Sequence, residues 1–115
     1  MDLKKNKLLM LYYKNNQLTK DDFISEIVES MYFFKKEQEE NPISDGYWMF
    51  ERKDVEDVIS FLNKKHNKDI DVKSDDFWFG GFVEDYEIMR VFNIDEYSLF
   101  EAFANIIIDN EIYTY

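Results

Sequence analysis

Apolar positions recur along this chain mostly at the three- and four-residue spacing of a helix that buries one face. Residues 4–14 are predicted to form a first helix, with Leu8, Leu9, Leu11 and Tyr12 as its apolar side. Asn15, Asn16 and Gln17 make a short polar connection. Thr19 then has the form of an N-cap, with Asp22 three residues on and Leu18 and Phe23 placed to close a hydrophobic staple. The helix it opens runs to about Glu39, with Phe23, Ile27, Met31 and Phe34 on one line and Ile24, Val28 and Tyr32 beside it. Such a stripe is wide enough to be buried on two neighbours.

Asn41, Pro42 and the following Ser44, Asp45 and Gly46 break that helix. Residues 47–51 read as a short strand or an extended connection. Asp54 is placed to cap a third helix whose Val55, Val58, Ile59 and Leu62 keep a 3.6-residue period. Lys64, Lys65 and His66 fall in its last turn, where cations suit the helix dipole, and Asn67 suits a left-handed stop. Residues 69–76 read as loop. From 77 to 94 periodicity does not decide: Phe82, Tyr86 and Met89 fit a helix, while the aromatic and β-branched content of 86–94 fits a strand. Asp95 caps a last helix with Leu99, Phe100, Phe103, Ala104, Ile107 and Ile108 on its apolar face. The pattern therefore predicts a mainly α fold, a small bundle of about four helices, with a short β-hairpin or small sheet, and so an α+β fold, as the alternative. No repeat, low-complexity tract or linker divides the 115 residues, so residues 1–115 are read as one domain.

Composition narrows the function. The chain has no cysteine, which removes disulfides, thiolate metal sites and thiol catalysis and fits a reducing cytoplasm. Its apolar runs are far too short to span a membrane, and the run from Leu8 to Tyr13 after the first lysines lacks the cleavage site of a signal peptide. The formal net charge is −11, and it is uneven. Residues 1–40 carry seven lysines against eight acids, whereas residues 41–115 carry seven bases against seventeen acids. Such a surface repels nucleic acid and anionic lipid and attracts basic proteins. Solubility alone also favours acidic surfaces, which accounts for the total more readily than for the asymmetry.

Catalytic and metal motifs are weak. His66 stands among lysines at a helix end, the place of a solvated dipole partner, and one imidazole cannot complete a nucleophilic triad. Asn67, Asp69 and Asp71 alternate as in a calcium loop, but Val72 stands where that loop needs glycine and Trp78 where it needs a bidentate glutamate. Gly80-Gly81 lacks the flanking pattern of a phosphate loop and suits a tight turn. The reading is thus of a protein without enzymatic activity, cofactor or bound metal, with a small enzyme built on paired carboxylates as the minor alternative.

The segment SDDFWFGGFVEDYE, residues 74–87, gathers aromatic anchors inside an acidic rim, the composition of a protein interface. Its candidate partner-binding residues are Asp75, Asp76, Trp78, Phe79, Glu84, Asp85, Tyr86 and Glu87, with Tyr47 and Trp48 as a second patch. Basic enzymes that cut nucleic acid line their grooves with lysine and arginine, and carboxylates at phosphate-like spacing can occupy such a groove. Residues 8–31, LLMLYYKNNQLTKDDFISEIVESM, resemble the N-terminal helical hairpin of colicin D-type immunity proteins: a short first helix, a polar link, a Leu-Thr cap and an acid-Phe opening to a longer second helix. That resemblance implies a small helix bundle whose acidic face plugs the active site of a tRNA-cutting toxin domain. The expectation is an acidic inhibitor of a basic nucleic-acid-acting enzyme: an immunity or antitoxin protein against a nuclease-type toxin. The alternative is a phage or mobile-element anti-defence protein, anti-CRISPR or anti-restriction, that mimics nucleic acid. An adaptor within a larger assembly is a third reading, since 21 aromatic rings also suit a permanent interface.

Overall fold

The computed structural model describes residues 3–40, 52–72 and 85–112. They form five helices: α1 (Leu3–Lys14), α2 (Lys20–Glu40), α3 (Arg52–His66), α4 (Asp85–Phe92) and α5 (Glu96–Asp109). Among the described residues there is no strand, so the mainly α expectation holds with one helix more than expected. No helix among them is long and apolar enough to cross a membrane.

Helix α5 is the centre. It is apolar nearly all round, and Leu99, Phe100, Ala102, Phe103, Ala104, Ile106, Ile107 and Ile108 are all buried. A helix of that kind must be covered on several sides, and α2, α3 and α4 pack against it, while α1 packs on α2. Helix α3 presents Val55, Val58, Ile59 and Leu62 to the core, the face its sequence period marks. From α2, Phe23, Ile27, Val28 and Met31 are buried, but Tyr32 is partly exposed and stands edge-on to the Phe100 ring, centroids 4.8 Å apart.

The ends of the helices follow local chemistry. Thr19 Oγ1 accepts the Asp22 N–H at 3.1 Å and Asp95 Oδ1 accepts the Ser98 N–H at 2.8 Å, as N-caps should. Four helices stop on a residue with positive φ: Asn16 (60°), Asn67 (52°), Asn93 (54°) and Glu111 (51°). In each case the next N–H reaches back five residues: Gln17 to Tyr12 O, Lys68 to Asn63 O, Ile94 to Met89 O and Ile112 to Ile107 O. This is the Schellman closure usually built on glycine; here asparagine, whose short amide tolerates the left-handed region, serves at three of the four. After α3 the chain is held again. The Asn63 side chain donates to Ile70 O at 2.8 Å and accepts from Ile70 N at 2.9 Å.

Three expectations are corrected. Asp54 does not cap α3, because the helix begins two residues earlier at Arg52, which pairs with Glu56 at 3.1 Å. Asp54 instead lies in the first turn and, with Asp57, accepts from the Asn110 amide at 3.0 and 2.9 Å, tying the start of α3 to the end of α5. In the 77–94 stretch, residues 85–92 are helical, but the inward line is Ile88 and Phe92; Tyr86 is 63% exposed. The third correction concerns α1. Leu8, Leu11 and Tyr12 point outward, and the buried side is Asn6 (0% exposed) and Met10 (5%), with Leu9 and Tyr13 half-buried. Neither amide atom of Asn6 has a hydrogen-bond partner. Tyr13 fixes this orientation through an edge-on contact with Phe23, centroids 5.8 Å apart.

Candidate interaction surface

Ion pairs show how α2 lies along α5. Lys20, the first residue of α2, pairs with Asp109, the last of α5, at 3.2 Å; Lys35 pairs with Glu96, the first of α5. The two helices are therefore antiparallel, and residues 36–40 of α2 run past the start of α5 by about 7.5 Å at 1.5 Å per residue. That overhang exposes Glu37, Glu39 and Glu40, and α2 has no basic residue in its last turn. Acids at a helix C-terminus oppose the macrodipole, so this end departs from what helix stability alone favours.

The starts of α4 and α5 meet the same end of the bundle. Asp85, Asp95, Glu96, Tyr32, Tyr97 and Lys35 lie close enough there to influence one another's ionisation. Loss of solvation raises the Tyr32 pKa first, and the negative charges of Glu96 and Asp95 raise it further, so its phenol keeps its proton at neutral pH. The hydrogen bond to Glu96 is the main cause holding the Lys35 ammonium above its ordinary value, and Glu39 adds to it. Desolvation raises the carboxyl of Asp85, with Glu96 next and Lys35 working against it. Asp85 is exposed by surface area, so that desolvation is partial and its energetic weight small. Asp95 is held low by the N–H of Ser98 that it caps.

Aromatic surface accompanies these acids. Phe33 is 64% exposed and Tyr97 48%, and Tyr86, next to Asp85, is turned out to solvent. The arrangement offers carboxylate acceptors and the protonated phenol of Tyr32 beside exposed rings, with Lys35 already occupied by Glu96. It suits recognition of cations borne by a macromolecule. Among the described residues no group of three or more His, Cys, Asp or Glu side chains could hold a metal ion.

Of the residues singled out from sequence, Asp85 and Tyr86 are exposed at this end, while Glu87 is half-buried and accepts from Arg90 Nη2 at 2.8 Å. Tyr47, Trp48, Asp75, Asp76, Trp78, Phe79 and Glu84 lie outside the described residues. Sequence reasoning did not find Tyr32, Lys35, Glu37, Glu39, Glu40, Asp95, Glu96 or Tyr97 as parts of one surface. The available signal was the run EQEE, which closes α2 with no base in its last turn.

Charge that is uneven along the sequence is partly paired in space. Four lysines from α1, α2 and α3 meet acids on or just after α5: Lys14 with Glu111 at 2.6 Å, Lys20 with Asp109, Lys35 with Glu96, and Lys65 with Glu101 at 2.7 Å. Four of the seventeen acids in residues 41–115 thus link the helices to one another. Pairing cannot neutralise all the acid, since 25 acids against 14 bases leave a formal net charge of −11. A scan against protein-family models and searches of curated proteins and solved structures find no match for this chain.

Proposed function

We propose that this protein is an acidic inhibitor that binds and blocks a basic nucleic-acid-acting enzyme, as a bacterial toxin immunity or antitoxin protein working in the cytoplasm. The observation that carries the reading is the acid–tyrosine end. There the α2 overhang with Glu37, Glu39 and Glu40 adjoins the starts of α4 and α5, with Asp85, Tyr86, Asp95 and Tyr97 exposed, and Phe33 is exposed on α2 one turn before Glu37. A nuclease groove lined with lysine and arginine meets carboxylates there in place of phosphates, and the rings supply contact area that phosphate mimicry alone lacks. Steering by the −11 net charge raises the encounter rate with a cationic partner, and ring contacts lengthen the complex's life. The likeness of residues 8–31 to the hairpin of colicin D-type immunity proteins supports the same direction. No cofactor, metal or direct nucleic-acid contact takes part in this mechanism.

The test is capture from the source cell on the tagged chain at low and at high salt, with bound proteins identified by mass spectrometry. The reading expects one basic nuclease-type toxin, held tightly, whose toxicity the chain suppresses when the two are co-expressed. Capture of a Cas or restriction enzyme, released by added DNA or RNA, moves the protein to the anti-defence class. Capture of acidic or neutral proteins alone removes the inhibitor reading.

A further inference from the structure

Helix α1 buries an unpartnered amide and leaves leucine outside. Its inward side carries Asn6, fully buried with both amide atoms unpartnered, while Leu8 (51% exposed), Leu11 (55%) and Tyr12 (44%) form an outward stripe at i, i+3 and i+4 spacing. Burying leucine is favourable and burying an unpartnered amide is costly, so packing on α2 leaves the favourable apolar area of α1 uncovered, on the face that also carries Lys5, Lys7 and Lys14. At 100° per residue Lys5 falls beside Tyr12, and Lys7 and Lys14 fall beside Leu11, so the stripe has a basic edge on both sides. Helix α1 holds four lysines and no acid, in a chain of net charge −11. Lys5 and Lys14 also reach Glu26 and Glu111, at 3.1 and 2.6 Å, from the flanks of the stripe.

From this we infer that the outer face of α1 is a self-association surface, and that its occupant is the acid–tyrosine end of a second copy. Charge complementarity selects that occupant. Stacking α1 on α1 would set lysine edges against lysine edges, and an anionic membrane is repelled by the molecule as a whole. The acidic end offers Glu37, Glu39 and Glu40 to the lysine edges, chiefly to Lys7 since Lys5 and Lys14 already hold Glu26 and Glu111, and Phe33, one turn before Glu37, to the leucines. A 12-residue helix is about 18 Å long, too small a face to hold a dimer by itself. Reciprocal pairing, each copy giving its α1 face to the other's acidic end, uses both surfaces twice and closes as a two-fold dimer. At about 0.15 M salt the Debye length is about 8 Å, so repulsion between the two net charges is screened while contact pairs persist. The inference needs only this chain, and the dimer and a cationic partner compete for the same acidic end.

Because the chain lacks cysteine, a single introduced thiol reports position without background. Unlabelled Glu40→Cys carrying a nitroxide is mixed with ¹⁵N-labelled wild-type chain at about 0.5 mM and about 0.15 M salt, and amide broadening is read alongside sedimentation equilibrium. The expected result is a monomer–dimer equilibrium with intermolecular broadening centred on residues 7–12. Leu8→Asp/Leu11→Asp should raise the dimer dissociation constant at least tenfold with an unchanged far-ultraviolet dichroism spectrum. Lys7→Glu should weaken the dimer, and mixing it with Glu39→Lys/Glu40→Lys should restore association. A monomer at that concentration, broadening centred elsewhere, or an α1 signal broadened by a nitroxide at Lys7→Cys in place of one at Glu40→Cys, overturns the inference.

Discussion

Asn6→Leu is expected to make this protein more stable. The two side chains share the same branched skeleton of four heavy atoms, but at position 6 the amide oxygen and nitrogen are buried without partners. Leaving such a group unsatisfied costs about 1–3 kcal/mol. Replacing it adds apolar burial against the Met10 side of α1 and a few tenths of a kcal/mol of helix propensity. The bulkier methyl groups offset part of this, since overpacking typically costs about 1–3 kcal/mol. The net gain is about 2 kcal/mol, which for a chain of this size raises the melting temperature by roughly 6–12 °C. Urea denaturation followed by far-ultraviolet dichroism at low micromolar concentration should move the midpoint by about 1 M at an unchanged slope. Asn6→Asp, which buries an unpaired carboxylate, should lose several kcal/mol unless the group protonates. If both Asn6→Leu and Asn6→Ala are less stable than the parent, the Asn6 amide is satisfied in the folded protein and the argument from its burial fails.

Other expectations follow from the caps, the core and the acidic end. Thr19→Ala removes the acceptor for the Asp22 N–H and should cost about 1 kcal/mol in urea titrations. At Asn93, with φ of 54°, substitution by alanine should destabilise by about 1 kcal/mol while glycine should be neutral or better, a contrast that a simple loss of side-chain contacts would not give. Ile107→Ala, at a fully buried position on α5, should lose about 2–5 kcal/mol, measured by the same titration. The raised carboxyl of Asp85 means that the folded state holds that proton more tightly than the unfolded state, so ionised Asp85 works against folding. Asp85→Asn should therefore be more stable than the parent at pH 7, by no more than about 1 kcal/mol for so exposed a group, and the difference should vanish as pH falls below about 4. Equal stability of the two proteins at pH 7 would remove Asp85 from the set of mutually repelling acids.

The parts legible in the sequence are those where one face is clearly apolar and the ends are marked. Helices α3 and α5 present the faces their periods predicted, and Thr19, Asp95 and Asn67 act as the cap and stop residues that their types suggest. Helix α1 misled because both of its faces are apolar, and periodicity cannot choose between them when a polar residue such as Asn6 occupies the core side. Helix α4 gives periodicity little to act on, because it is only eight residues long and its inward line is just Ile88 and Phe92. The acidic end was hidden for a different reason. Its members come from the end of α2 and the starts of α4 and α5, and only the antiparallel register set by Lys20–Asp109 and Lys35–Glu96 brings them to one place. The same register turned a charge asymmetry along the chain into ion pairs between helices, which no count of residues by segment could show.

The most direct test of the inhibitor account is the association rate of this chain with its captured partner, measured by stopped-flow fluorescence across ionic strength. The comparison is between the parent and a variant with Glu37, Glu39, Glu40 and Asp85 changed to lysine. The account predicts a parent rate above about 10⁷ M⁻¹s⁻¹ at low salt that falls steeply as salt is added, and a variant at least a hundredfold slower with a flat salt dependence and intact helical dichroism. A variant that associates as fast as the parent, or a parent rate indifferent to salt, would show that the acidic end does not face the partner.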